Sequence, residues 1–173
     1  MASVEYLNVG KSNLEDDDVN QLCSALQSNT TLHTLILHGN KIGTQEVRIF
    51  FVVMLYFHMY YFKEYFFFNE LQQDFSIILP NRTSGLAALT ELLLNSDTLT
   101  YLDLSNNSIR KLSFFEKFCD IFSSKEVQYL TTLNLSGNNL GDTDSQLLFK
   151  SLSNDRVRLT NLDMSTNGIS SKG

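Results

Sequence analysis

The chain has 173 residues, with 13 Lys and Arg against 19 Asp and Glu, and a formal net charge of −6. That length fits one domain spanning 1–173. An acidic chain without a basic block argues against nucleic acid or an anionic membrane surface as partner.

The first element is a strand. Val4, Leu7, Val9, Ser12 and Leu14 form a weak copy of a spacing that later reads Leu-x-x-Leu-x-Leu-x-x-Asn-x-Ile. Leu7 and Val9 alternate at period two, the mark of a strand with one buried face. Tyr6, Asn8 and Gly10 then face outward. A helix is predicted next, because Glu15-Asp16-Asp17-Asp18 precede Val19, Leu22, Cys23, Ala25 and Leu26 at spacings that make one apolar stripe. The four carboxylates complement the positive end of that helix. A cation site would need ligands converging from more than one contiguous run.

The second copy is Leu32, Leu35, Leu37, Asn40 and Ile42. It points Thr34, Ile36 and His38 outward. The asparagine falls where the chain must turn, and its amide can both donate to and accept from stranded backbone groups. The third copy is Leu99, Leu102, Leu104, Asn107 and Ile109, preceded by helical Leu89 and Leu93. Its outward residues are Tyr101, Asp103 and Ser105. The fourth is Leu130, Leu133, Leu135, Asn138 and Leu140, with Thr132, Asn134 and Ser136 outward and helical Leu148 and Leu152 after it. The fifth is Leu159, Leu162, Met164, Asn167 and Ile169, with Asn161, Asp163 and Ser165 outward.

Each unit is thus strand, turn, helix and loop, and none can bury its apolar face alone, so neighbours must stack into a solenoid. The expected fold is α/β, with parallel strands on a concave face, helices on a convex face, and five full or partial repeats. The periods are 28 from Leu7 to Leu35, 31 from Leu102 to Leu133 and 29 from Leu133 to Leu162.

From Leu35 to Leu102, however, the spacing is 67. The surplus runs from about Val47 to Ser84 by the repeat arithmetic. It holds 11 of the 20 aromatic residues, between Phe50 and Phe68, with no Gly or Ala and the single proline, Pro80. Three readings stand side by side. A membrane helix within 49–68 is opposed by length, since the uncharged run ends at Lys63-Glu64 before the ~20 residues a span needs. A functional insertion is the second. The third is a translated intron, because thymine-rich DNA encodes Phe, Tyr, Ile, Leu and Val; the broken register favours it.

With these periods, and with the joints Leu14-Glu15-Asp16-Asp17-Asp18-Val19-Asn20-Gln21-Leu22 and Leu140-Gly141-Asp142, the chain resembles the ribonuclease-inhibitor-like subclass of leucine-rich repeat proteins. That resemblance implies concave-face protein recognition of the kind seen in NOD-like receptor arrays. It leaves open a GTPase-activating regulator of the Ran type, with Arg110 as candidate among Arg48, Arg82, Arg110, Arg156 and Arg158, and an actin-capping scaffold of the tropomodulin type. The expected recognition surface is Tyr6, Asn8, Thr34, Ile36, His38, Tyr101, Asp103, Ser105, Asn134, Asn161, Asp163 and Ser165, and its two aspartates favour a basic partner.

No catalytic, metal or cofactor-binding set is predicted, and no small-molecule substrate. His33, His38 and His58 lack partners at a spacing that suggests a nucleophile–base pair. The glycosylation patterns at Asn29, Asn81, Asn106 and Asn134 read as chance matches. Met1 leads straight into the first strand, which reads as a chain without a signal peptide, and Cys23 and Cys119 should be unpaired thiols in a reducing, cytoplasmic setting. Neither end shows a polar cap, so a piece of a longer array is expected.

Overall fold

A computed structural model describes residues 3–43, 85–109, 112–123, 129–153, 155 and 157–171. The expectations for 47–84, His58 and Arg110 lie outside these residues.

Five strands form one parallel sheet in chain order: β1 (Tyr6–Asn8), β2 (Thr34–Ile36), β3 (Tyr101–Asp103), β4 (Thr132–Asn134) and β5 (Asn161–Asp163). Leu7, Leu35, Leu102, Leu133 and Leu162 stand side by side in the strand register. The period-two leucines do what alternation requires. Leu35, Leu37, Leu102, Leu104, Leu133 and Leu135 are fully buried, each worth about 1.5–3 kcal/mol against exposure. Leu7, Leu162 and Met164, on the outer rungs, are only partly buried.

Behind the sheet run α1 (Asp16–Leu26), α2 (Gly85–Asn95), α3 (Leu112–Asp120), which ends in a 3₁₀ turn at Ile121–Ser123, and α4 (Asp142–Leu152). Each helix packs on the next. Strands sit about 4.8 Å apart and packed helices about 8–10 Å apart, so the stack bends with its strands inside. Val19, Cys23 and Leu26 carry the buried stripe of α1, whereas Ala25 faces solvent. In α3 phenylalanines replace leucines: Phe118 lies 6.2 Å from Phe115 and meets Phe122 edge-on at 5.6 Å.

The turn after each strand is built the same way. The residue before the asparagine slot is left-handed in every repeat: Lys11 (φ 54), Gly39 (φ 63), Asn106 (φ 52), Gly137 (φ 67) and Thr166 (φ 56). Each asparagine then stitches two repeats together. Asn107 Nδ2 donates to the carbonyls of Leu104 (3.0 Å) and Ser105 (3.1 Å) in its own repeat and of Leu37 (3.1 Å) in the preceding one, while its Oδ1 accepts from Ile42 N–H (3.2 Å). Asn167 Oδ1 likewise accepts from Asn138 and Leu140 N–H, each at 2.9 Å. Asn138 departs from the pattern: its amide donates to Leu104, Leu135 and Ser136 carbonyls, but its buried Oδ1 has no partner among the described residues.

Carboxylates at the strand-to-helix joint add a second stitch. Asp18 accepts from Glu15 N–H (2.9 Å), and Asp144 from Gly141 N–H (2.8 Å), closing the first turns of α1 and α4. Asp16 is 2% exposed, and its Oδ1 accepts from both Gly43 N–H (3.0 Å) and Gly85 N–H (2.8 Å). One oxygen therefore holds the two chain ends that flank residues 44–84. β2 pairs directly with β3 across the long spacing. Asp142 makes the matching reach to Ser170, through its N–H (2.6 Å) and Oγ (2.7 Å).

Candidate functional site

The outward residues of the strands form three files across the sheet. Strand register places Tyr6, Thr34, Tyr101, Thr132 and Asn161 in the first file, and Asn8, Ile36, Asp103, Asn134 and Asp163 in the second. Backbone bonds extend that register into the turns, with Leu37 N–H to Asp103 O and Gly39 N–H to Ser105 O, both 2.8 Å. Gly10, His38, Ser105, Ser136 and Ser165 thus make the third file.

The predicted surface is brought together, with one correction. Ser105 is 5% exposed and does not present its side chain to a partner. Its carbonyl is held by Gly39 N–H (2.8 Å) and by Asn107 Nδ2 (3.1 Å), and its short side chain sits between the rungs of His38 and Ser136. Ser165 has the same sequence position but lies on the outermost rung and is exposed. Tyr6, Asn8, Asn161 and Asp163 are exposed, Tyr6 at 59%. Thr34, Ile36, His38, Tyr101, Asp103 and Asn134 are half-buried.

The second file shows a recurrent turn that the strand pattern alone does not reveal. Asn8 Oδ1 accepts from Gly10 N–H, Asp103 Oδ1 from Ser105 N–H and Asp163 Oδ1 from Ser165 N–H, each at 2.9 Å, and Asn134 Oδ1 from Ser136 N–H at 3.0 Å. These are Asx turns, in which the side chain completes its own backbone two residues on. The signal in the sequence is Asx-x-Gly or Asx-x-Ser at four strand ends. Ile36 interrupts the file with an apolar group. Next to it the His38 ring lies over Gly10, where any Cβ would collide with it.

The electrostatics of the face are acidic. Partial burial, then the nearby Asp103 and Tyr6, push the Tyr101 hydroxyl above the usual phenol range. The bonds from Ser165 hold the Asp163 carboxyl below the usual carboxylate range. None of the fifteen positions of the three files is Lys or Arg. Lys11 and Lys41 lie past the strand ends, in the turns.

Other sites named from sequence stay apart from this face. Among the described residues no three His, Cys, Asp or Glu side chains converge as a metal site, and no helix is long and apolar enough to cross a membrane. His33 is exposed at the start of β2, and Arg158 is exposed before β5; Arg48, Arg82, Arg110 and Arg156 lie outside the described residues. The Asn29 side chain is engaged by Thr31 N–H, Leu32 N–H and the Val4 carbonyl. A hollow of about 80 Å³ between α1 and α2, lined by Asn20, Cys23, Ser24, Gln27, Ala88 and Glu91, falls on the helix side and is far below the ~300 Å³ of a small-molecule site. Cys23 and Cys119 are buried free thiols, each pushed up to about 12 by burial first and by nearby carboxylates second.

Comparison with protein-family models agrees with the repeat geometry. Residues 28–45 and 128–145 match a model described as Leucine Rich repeat, and residues 98–121 match another described as Leucine Rich Repeat. These spans hold the second, fourth and third copies of the spacing. No curated protein matches the chain.

Proposed function

The chain is a leucine-rich repeat solenoid, and on that premise we propose that it is a protein–protein interaction module that recognises its partner with the concave strand face and performs no catalysis. Leucine-rich repeat domains are typically non-enzymatic binding scaffolds. The observation that carries the proposal is the placing of Tyr6 and Tyr101 on a rigid sheet, two strands apart in one registered file. Tyrosine offers a large contact area at low entropic cost and a polar tip, which suits a recognition surface.

The finer reading is a ribonuclease-inhibitor-like array of the NOD-like receptor kind. Periods near 28 and full helices of 11 residues in α1, α2 and α4 support it, since shorter repeats leave no room for such helices. A cytoplasmic location is proposed with it, supported by two unpaired, buried thiols, which suit a reducing compartment.

Photo-crosslinking tests the face. A photoreactive amino acid replaces Thr34 on the concave side or the exposed Glu116 on α3. Discrete crosslinked products from position 34, and none from position 116, are expected in cells expressing the protein. Products from position 116 alone would overturn the assignment.

A further inference from the structure

We infer that the concave face takes a cationic, extended segment of a partner protein, with its Lys or Arg side chains held between Asp103 and Asp163 and against the ring of Tyr101. The inference rests on the concave strand face being the recognition surface and names the chemistry of what that surface recognises.

Charge complementarity carries it. Asp103 and Asp163 stand in the same file with one strand between them, hence about 9.6 Å apart at the usual strand spacing. Asp103 gives one oxygen to its own Asx turn, and Asp163 is bonded by Ser165 through both its N–H and its side chain. The second oxygen of Asp103 has no hydrogen bond among the described residues, and the residue is half-exposed in the outward file. No Lys or Arg within the three files competes for either carboxylate.

Geometry sets the shape of the guest. A polyproline-type segment repeats its side chains every third residue, at about 9.3 Å, which matches the spacing of the two aspartates. A cation placed at Asp103 also lies beside Tyr101, whose neighbours in the register are Thr34 and Thr132. Both are smaller than tyrosine, and a cation placed over the half-exposed ring would add to the attraction.

Asn134 supplies the test variant. It occupies the same file and makes the same turn as the aspartates, so Asp103→Asn with Asp163→Asn removes two charges and keeps the turn geometry. The control removes two charges from the other side of the molecule, by Glu91→Gln with Asp97→Asn, both exposed. The probe is a fluorescein-labelled peptide of repeated Arg-Pro-Pro triplets, read by fluorescence anisotropy at low salt, beside a peptide of Glu-Pro-Pro triplets.

The expected result is binding of the arginine peptide alone, weakened about tenfold by the concave pair, which is what roughly 0.7 kcal/mol per exposed charge pair amounts to, and by less than about twofold by the control pair. Equal losses in both double variants would show diffuse attraction to an acidic protein and overturn the inference. Binding no better than that of the glutamate peptide would overturn it too. In that second case concave recognition of a partner of other chemistry stands or falls on the crosslinking result alone.

Discussion

Asn107 and Asn138 occupy the same slot in successive repeats, yet alanine should cost very different amounts at the two positions. Each amide nitrogen reaches three carbonyls with its two hydrogens, one of them shared, and every one of those carbonyls keeps another donor. Leu37 O retains Asn40 Nδ2 and Leu104 O is shared by both asparagines. Leu135 O retains Asn167 Nδ2, while Ser105 O and Ser136 O retain the N–H groups of Gly39 and Asn106. The difference lies on the oxygen side. Asn107 Oδ1 is the acceptor for Ile42 N–H, in a residue that is fully buried. Asn107→Ala leaves that donor unpaired, a cost of about 1–3 kcal/mol. Asn138 Oδ1 accepts nothing among the described residues, so Asn138→Ala strands no donor there and deletes an acceptor without a partner. Asn107→Ala should therefore be the less stable variant by about 1–3 kcal/mol, or about 3–9 °C in Tm at roughly 3 °C per kcal/mol for a chain of this size. Thermal and urea unfolding followed by circular dichroism check it. Equal losses, or a larger loss for Asn138→Ala, would refute the assignment of the cost to the stranded Ile42 donor.

Three further outcomes follow from the same geometry. Asp16→Ala frees Gly43 and Gly85 together and should cost about 3–5 kcal/mol, as two bonds to a charged acceptor are lost, measured by urea unfolding. Asp142 and Asp163 are held below the usual carboxylate range by their bonds to Ser170 and Ser165. A depressed folded-state pKa gives stability that is present above the unfolded value near 3.9 and is lost as pH falls through the folded value. Tm should therefore drop more steeply below about pH 4 in the native protein than in an Asp142→Asn, Asp163→Asn variant. Cys23 and Cys119, with burial pushing both thiols up to about 12, should resist a disulfide reagent at neutral pH and react promptly after unfolding, as read by thiol titration.

The solenoid was legible because its information is periodic. Leu35 and Leu37, or Leu133 and Leu135, state a buried face by alternation, and the asparagine three residues past the second leucine states the turn. The joint was less legible. Glu15-Asp16-Asp17-Asp18 reads as four carboxylates that complement the positive end of a helix, but Asp16 is buried as a bond between repeats and Asp18 closes the helix start. Sequence hints at this only by repeating an aspartate two residues past the last apolar position, in Leu14–Asp16 and Leu140–Asp142. The surface was legible as a set of positions and not as their duties. Alternation identifies Asp103, Asn134 and Asp163 as outward, but their turn bonds depend on the chain leaving the strand at that point. Ser105 was misplaced for the same reason: alternation assumes equal depth at every rung, and a short side chain between two flanking rungs is recessed.

The Asp16 carboxylate has a consequence for how such a chain can change. Because Gly43 and Gly85 are gripped at one point, the entropy of closing the chain between them should grow only with the logarithm of its length. The layers on either side need not adjust. A change in the number of residues between Gly43 and Gly85 should therefore cost little, and a reporter or affinity module grafted there is expected to leave the register of β2 and β3 intact.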